Sequence, residues 1–120
     1  MNAPAWPLDI AYDPAAKTLT VTFDDGRTFA LPAEYLRVES PSAEVQGHSP
    51  AERQFVPGRK YVGVSAIDPV GNYAVRLTFD DGHDTGIYSW ALLHELGRER
   101  AERWARYLAG LADRGLSREP

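Results

Sequence analysis

The tetrapeptide Phe-Asp-Asp-Gly occurs twice, at residues 23–26 and 79–82, each time at the end of an alternating apolar stretch. The surrounding segments, LTVTFDDGRTFALP from Leu19 and AVRLTFDDGHDTGIYS from Ala74, resemble each other along their length. Asp-Gly between two alternating segments is a strong hairpin signal, because glycine supplies the positive φ that the reversal requires. The pattern predicts one hairpin from residues 18–23 and 28–31, and a second from residues 73–79 and 85–88. The four carboxylates at the tips (Asp24, Asp25, Asp80, Asp81) lack the alternating acidic spacing of a calcium-binding loop, so they read as turn chemistry.

Two further strands are expected at residues 8–12 and 61–68, the second entering a turn at 69–72. Pro32 suits the first position of a single helical turn over residues 32–36. Ser89 reads as the N-cap of a helix over 90–96, with Gly97 as its stop. The next helix carries Ala101, Trp104, Ala105, Leu108, Leu111 and Ala112 at the spacing of one buried stripe packed on a sheet. Six mostly antiparallel strands followed by two C-terminal helices make an α+β domain rather than a parallel βαβ fold. The 120 residues fit one domain, with a core over about residues 7–111 and a frayed tail at 116–120.

Composition removes several classes of function. With no cysteine, the chain has no disulfide, thiolate zinc site, cysteine-ligated cluster or cysteine nucleophile. A net charge of −4 argues against binding a phosphate backbone as the main role. The arginines that bunch in the last helix alternate with glutamates, and Glu99–Arg103 and Glu102–Arg106 have the spacing of surface ion pairs. No apolar run approaches the roughly 18 residues of a membrane span. The opening MNAPAWPLDI lacks a basic region followed by a hydrophobic block, so no secretory signal is expected and the expected location is cytoplasmic.

Residues 37–60, RVESPSAEVQGHSPAERQFVPGRK, break the periodic pattern. Structureless connections longer than about 12–15 residues tend to be functional or disordered. This one concentrates hydrogen-bonding and ligating groups: Arg37, Ser40, Ser42, Glu44, Gln46, His48 and Ser49. Of the three histidines, His94 borders the apolar face of its helix, and His83 next to Asp84 reads as an exposed turn residue. His48 has no packing or pairing reason for its position. A two-histidine, one-carboxylate iron site from His48, His83 and Asp84 or Glu44 requires the long loop to fold over the second hairpin. No Gly-x-Ser-x-Gly elbow, phosphate loop or dinucleotide fingerprint is present, so no catalytic residue is named.

The runs LPAEYLR from Leu31, SPSAEVQGH from Ser40, FDDGH from Phe79 and GIYSW from Gly86 together resemble the gamma-butyrobetaine hydroxylase-like N-terminal domain family, over about residues 7–111. The resemblance implies a small α+β domain rich in antiparallel strands. In the eukaryotic hydroxylase the corresponding domain holds a structural zinc through three cysteines and a histidine. By position these fall at Ser40, Ser42, Val45 and His83, and only the histidine is kept. The hydroxylase's catalytic iron and 2-oxoglutarate domain has no counterpart here, so its activity does not transfer.

Family members also occur fused to P-loop ATPases that carry iron–sulfur clusters. That association implies a non-enzymatic interaction module whose protein partner is an iron–sulfur carrier ATPase or an iron enzyme. The expected contact surface is residues 37–60 with the His83–Trp90 edge; Arg37 and Tyr88 are its candidate hot spots, while Trp90 reads rather as packing its helix against the sheet. The alternative is a small-ligand or metal-binding domain using His48, His83, Asp84 and Glu44. Because two hydroxyls, a valine and one imidazole are a poor zinc donor set, metal analysis of protein purified without a His-tag is expected to give far less than one zinc per chain.

Overall fold

The computed structural model describes residues 5–120. A first antiparallel meander comprises β1 (Pro7–Asp13), β2 (Thr18–Phe23) and β3 (Thr28–Pro32). A second comprises β4 (Val64–Val70), β5 (Ala74–Phe79) and β6 (Ile87–Ser89). Between the sheets lie α1 (Ala33–Val38), α2 (Ala43–Gln46) and a single 3-10 turn, Pro50–Glu52. The helices α3 (Trp90–Arg98) and α4 (Arg100–Asp113) follow β6. The fold is α+β. No helix among the described residues is long and apolar enough to cross a membrane.

The sequence repeat is a structural repeat. Each Phe-Asp-Asp-Gly leaves the central strand of its sheet, and the two turns make the same three hydrogen bonds. Phe23 N donates to Arg27 O and Gly26 N to Phe23 O, as Phe79 N donates to His83 O and Gly82 N to Phe79 O. In each turn the second aspartate accepts from the backbone N–H two residues on, Asp25 from Arg27 and Asp81 from His83, both at 3.0 Å. Gly26 and Gly82 stand at φ +86° and +92°, where a Cβ is costly.

Alternation along the central strands builds the core. Leu19, Val21 and Phe23 of β2 and Val75, Leu77 and Phe79 of β5 are all buried in one cluster with Leu31 and Tyr88. Side chains of this size contribute about 1.5–3 kcal/mol each on burial. Tyr35 and Leu36 of α1 and Leu93 and Leu96 of α3 close the cluster, and the Tyr35 hydroxyl donates to Leu96 O at 2.7 Å. The sheets are joined at their edges, where Val64 N of β4 donates to the Tyr12 hydroxyl of β1.

Several expectations require correction. Pro69 lies inside β4 rather than in a turn, which an edge strand tolerates because its outward side needs no N–H. Gly97 does not stop α3, which runs on to Arg98. Its missing side chain instead admits Phe29, whose ring would lie 2.2 Å from a Cβ built there. Leu108 is 40 % exposed, and the buried stripe of α4 is Tyr107 and Leu111, with Trp104 packed beside them. That stripe faces Val38, Phe55 and Val56 rather than a sheet, which rotates the contact face away from Leu108.

The tail at 116–120 is placed against the long connection and α1. Gly58 N donates to Ser117 O and Lys60 N to Arg118 O, and Arg118 pairs with Glu34. An alanine at Gly97 gains up to about 1 kcal/mol of helix propensity but forces the Phe29 ring out of place, at about 1–3 kcal/mol. Gly97→Ala is therefore expected to lower the denaturation midpoint with an unchanged m-value in urea unfolding.

Candidate functional site

The long connection is ordered by local chemistry first. Ser42 caps α2, its Oγ accepting from Glu44 N at 3.2 Å. Gly47 then reverses the chain at φ +67°, where a Cβ would meet Glu52 at 2.4 Å. The Glu52 carboxylate accepts from His48 N at 2.8 Å, and Gln54 N donates to Val45 O at 2.7 Å. Val45 is driven into the interior, which anchors the middle of the segment.

Side chains then bind this segment to the second hairpin. His83 is buried, not exposed as the turn position suggested. Its Nδ1 is 2.9 Å from Glu44 Oε2 and its Nε2 is 2.9 Å from Ser40 Oγ. A carboxylate can only accept, so Nδ1 donates to Glu44, and Nε2 shares the second hydrogen bond with the Ser40 hydroxyl. Ser40 Oγ in turn accepts from Ser42 N, and Ser42 Oγ lies 2.7 Å from Thr85 Oγ1. Ser40, His83 and Glu44 thus have the connectivity of a hydrolase triad. Ser40 is wholly buried, so its oxygen is closed to a substrate and the chain of bonds acts as a clasp.

A second tie lies beside the first. Asp81 Oδ2 accepts from Arg37 Nε at 2.8 Å and from Arg59 Nε at 2.6 Å, while Oδ1 accepts from His83 N. Burial alone raises the Asp81 pKa; the His83 N–H and then the Arg37 and Arg59 guanidinium groups more than offset this and hold it below the ordinary carboxylate value. Arg37 is 8 % exposed and Tyr88 is fully buried, its hydroxyl donating to Leu36 O. Neither is the exposed anchor that its residue type suggested, because the loop folds down over both.

No sequence pattern marks Glu39, whose side chain is completely buried. Arg53, Arg103 and Arg106 converge on it, Arg103 at 3.0 Å and Arg106 at 3.5 Å. Glu99–Arg103 forms at 3.0 Å as its spacing predicts, whereas Arg106 turns inward to Glu39. The outer side of this cluster is a cleft of about 660 Å³ between residues 46–55 and α4. Gln46, His48, Arg53, Arg103 and Arg106 line it, Phe55 contributes an aromatic wall, and no acidic side chain is part of the lining. His48 is exposed there, and Arg106 is 56 % exposed. The signal in the sequence was the pair Arg103 and Arg106 on one side of α4, but nothing local points to Glu39.

The residues proposed for metal binding are distributed differently. Both ring nitrogens of His83 are engaged, His48 sits at the cleft, and Asp84 is exposed. Among the described residues no group of three or more His, Asp or Glu side chains is placed to hold a metal ion. The zinc positions implied by the family do not fit the metal either. Val45 is a core side chain, and the hydroxyls of Ser40 and Ser42 are engaged in hydrogen bonds. His94, the remaining histidine, pairs with Asp25 at 2.7 Å and accepts from Arg98.

A lowered folded pKa stabilises the protein above the ordinary carboxylate value of 3.8 and ceases to do so as pH falls through the depressed value. Wild type is therefore expected to exceed Asp81→Asn in unfolding free energy at neutral pH. The gap should shrink as pH drops below 3.8 in paired urea titrations.

The gamma-butyrobetaine hydroxylase-like, N-terminal family model matches residues 10–94, and the chain belongs to that family. Two solution NMR structures are similar to it. One is 45 % identical with a TM-score of 0.85, covering 98 % of this chain and 93 % of its own. The other is 44 % identical with a TM-score of 0.83, covering 100 % and 92 %. A crystal structure of a protein of unknown function from the DUF971 family of Acidithiobacillus ferrooxidans ATCC 23270 is 41 % identical, with a TM-score of 0.65, covering 76 % of this chain and 91 % of that one. No curated protein matches.

Proposed function

We propose that this member of the gamma-butyrobetaine hydroxylase-like, N-terminal family is a non-enzymatic interaction module that docks a protein partner in iron–sulfur or iron-enzyme metabolism. The observation that supports it is the cleft at residues 46–55. Its floor is pinned by Glu39 and its loop is clasped to the hairpin through Ser40, Ser42, Glu44 and His83, so the outward groups are held in place before any partner arrives. Preorganised surfaces lose less conformational entropy on association. Arg53, Arg103 and Arg106 pair with Glu39 behind the cleft, but no acidic side chain lines its outer face, and the exposed side of Arg106 suits an acidic segment of the partner. The iron–sulfur assignment rests on the fusion of family members to cluster-carrying P-loop ATPases.

The docking residues in this reading are His48, Arg106 and Gln46, which line the cleft. Arg37 and Tyr88 act from below by holding the loop. A small anionic ligand is the second reading, because about 660 Å³ falls within the range of small-molecule sites. The two are separable. Capture of a cluster carrier or iron enzyme from the source cytosol should fall about tenfold, worth about 1.4 kcal/mol, in the variant His48→Ala/Arg106→Ala, with circular dichroism unchanged. A partner retained in full by that variant would refute the docking assignment. A melting temperature that rises with a small anion such as 2-oxoglutarate would instead support the ligand reading.

A further inference from the structure

A second built site lies away from that cleft, where Glu34 of α1 and Trp104 of α4 line a common wall and both meet Arg118. Glu34 is 7 % exposed, yet its carboxylate is held by a single guanidinium. Arg118 Nε donates to Glu34 Oε2 at 2.8 Å and Nη2 to Oε1 at 2.7 Å, a two-pronged fork. The Arg118 Cζ also stands 5.3 Å from the centre of the Trp104 ring. A buried carboxylate under an aromatic face is a receptor for a planar cation, since the fork matches both carboxylate oxygens and the ring face attracts the charge.

The backbone takes part as well. Gly58 N donates to Ser117 O at 2.9 Å and Lys60 N to Arg118 O at 3.1 Å, while Lys60 Nζ meets Glu119 at 2.7 Å. Main-chain hydrogen bonds combined with a pocket for one side chain are the elements of peptide recognition. The seat is also open to solvent. Arg118 retains 37 % side-chain exposure and forms one wall of a cleft of about 700 Å³, with Pro32, Tyr35 and Ala101 among the other walls. An arginine can therefore enter and leave without opening the core.

We propose that Glu34, Trp104 and the 58–60 backbone form a recognition site for an arginine-bearing peptide segment of a partner protein, and that residues 116–120 occupy this site in cis. The preferred sequence is arginine followed by an acidic residue, which Lys60 reads. Lysine is a poor substitute, because a point charge cannot make the fork to Glu34. The chain's own segment is then a competitor that a partner must displace.

The test uses full-length wild type and Arg118→Ala, with the acetylated and amidated peptide Leu-Ser-Arg-Glu-Pro as probe and the Trp104 indole N–H followed by NMR. Arg118→Ala is expected to bind the peptide saturably and about tenfold or more tighter than wild type. Replacing the peptide arginine by lysine, or adding Glu34→Gln to the variant, should weaken binding by about the same factor. Equal binding by wild type and variant, equal binding of the lysine peptide, or no Trp104 shift at millimolar peptide would overturn the proposal. Should Arg118→Ala fail to fold, Arg118→Lys serves. Its Gly58 and Lys60 amides should exchange about tenfold faster than in wild type at equal global stability, and unchanged protection would refute the seat.

Discussion

One carboxylate ties three parts of the molecule together. Asp81 takes the His83 N–H inside its own turn, Arg37 from α1 and Arg59 from the end of the long connection. The first bond is local and recurs at Asp25 in the other hairpin, so it belongs to the turn itself. The other two are long-range, and they draw the polar segment down over β5 and β6. Once that happens His83 lies against Ser40 and Glu44, and Ser42 against Thr85. The two turns begin from one chemistry and diverge in what their aspartates meet, Asp25 finding His94 and Asp81 the arginines.

Glu39 performs the corresponding task on the other side of the segment. Taking a carboxylate wholly out of water is costly, and the attraction of the Arg53, Arg103 and Arg106 guanidinium groups offsets that cost only in good geometry. Such clusters select one arrangement among many at little net gain in stability. This explains how a segment with the composition of a disordered loop keeps a defined shape. Its polar groups are buried with partners; of its few apolar anchors, Val45 is buried and Phe55 and Val56 pack against Val38 and α4.

The hairpins were legible because their signals are local: alternation, Asp-Gly and the capping serine at 89 each act within a few residues. The strand limits at 18–23 agree with β2 residue for residue. Leu108 and the contacts of the tail lie beyond local signals for a common reason. Periodicity tells which residues of a helix can share a face but not what covers that face, and α4 is covered by residues 53–56 rather than by a sheet. The tail's polar composition suggested fraying, but its carbonyls and Arg118 find donors and a carboxylate more than 50 positions away. At the candidate site the residue types at 40, 42, 44 and 83 were singled out as chemistry-bearing, while Glu39, Glu34 and Arg53 were not, since an isolated charge in a polar stretch carries no pattern.

The amino-acid sequence by itself determined the two Phe-Asp-Asp-Gly meanders, the α+β class and the family, because each depends on spacing between near neighbours. The absence of thiolates likewise follows from composition alone. Only the tertiary structure decided that His83 is buried in a clasp, that Arg37 and Tyr88 support the loop from beneath, and that Arg118 sits on Glu34 and Trp104. Apart from Arg118 on Trp104, those contacts join residues 39 to 84 positions apart. Their pairing is set by which buried charge finds which partner when the sheets and helices close, and no local rule of the chain encodes that choice.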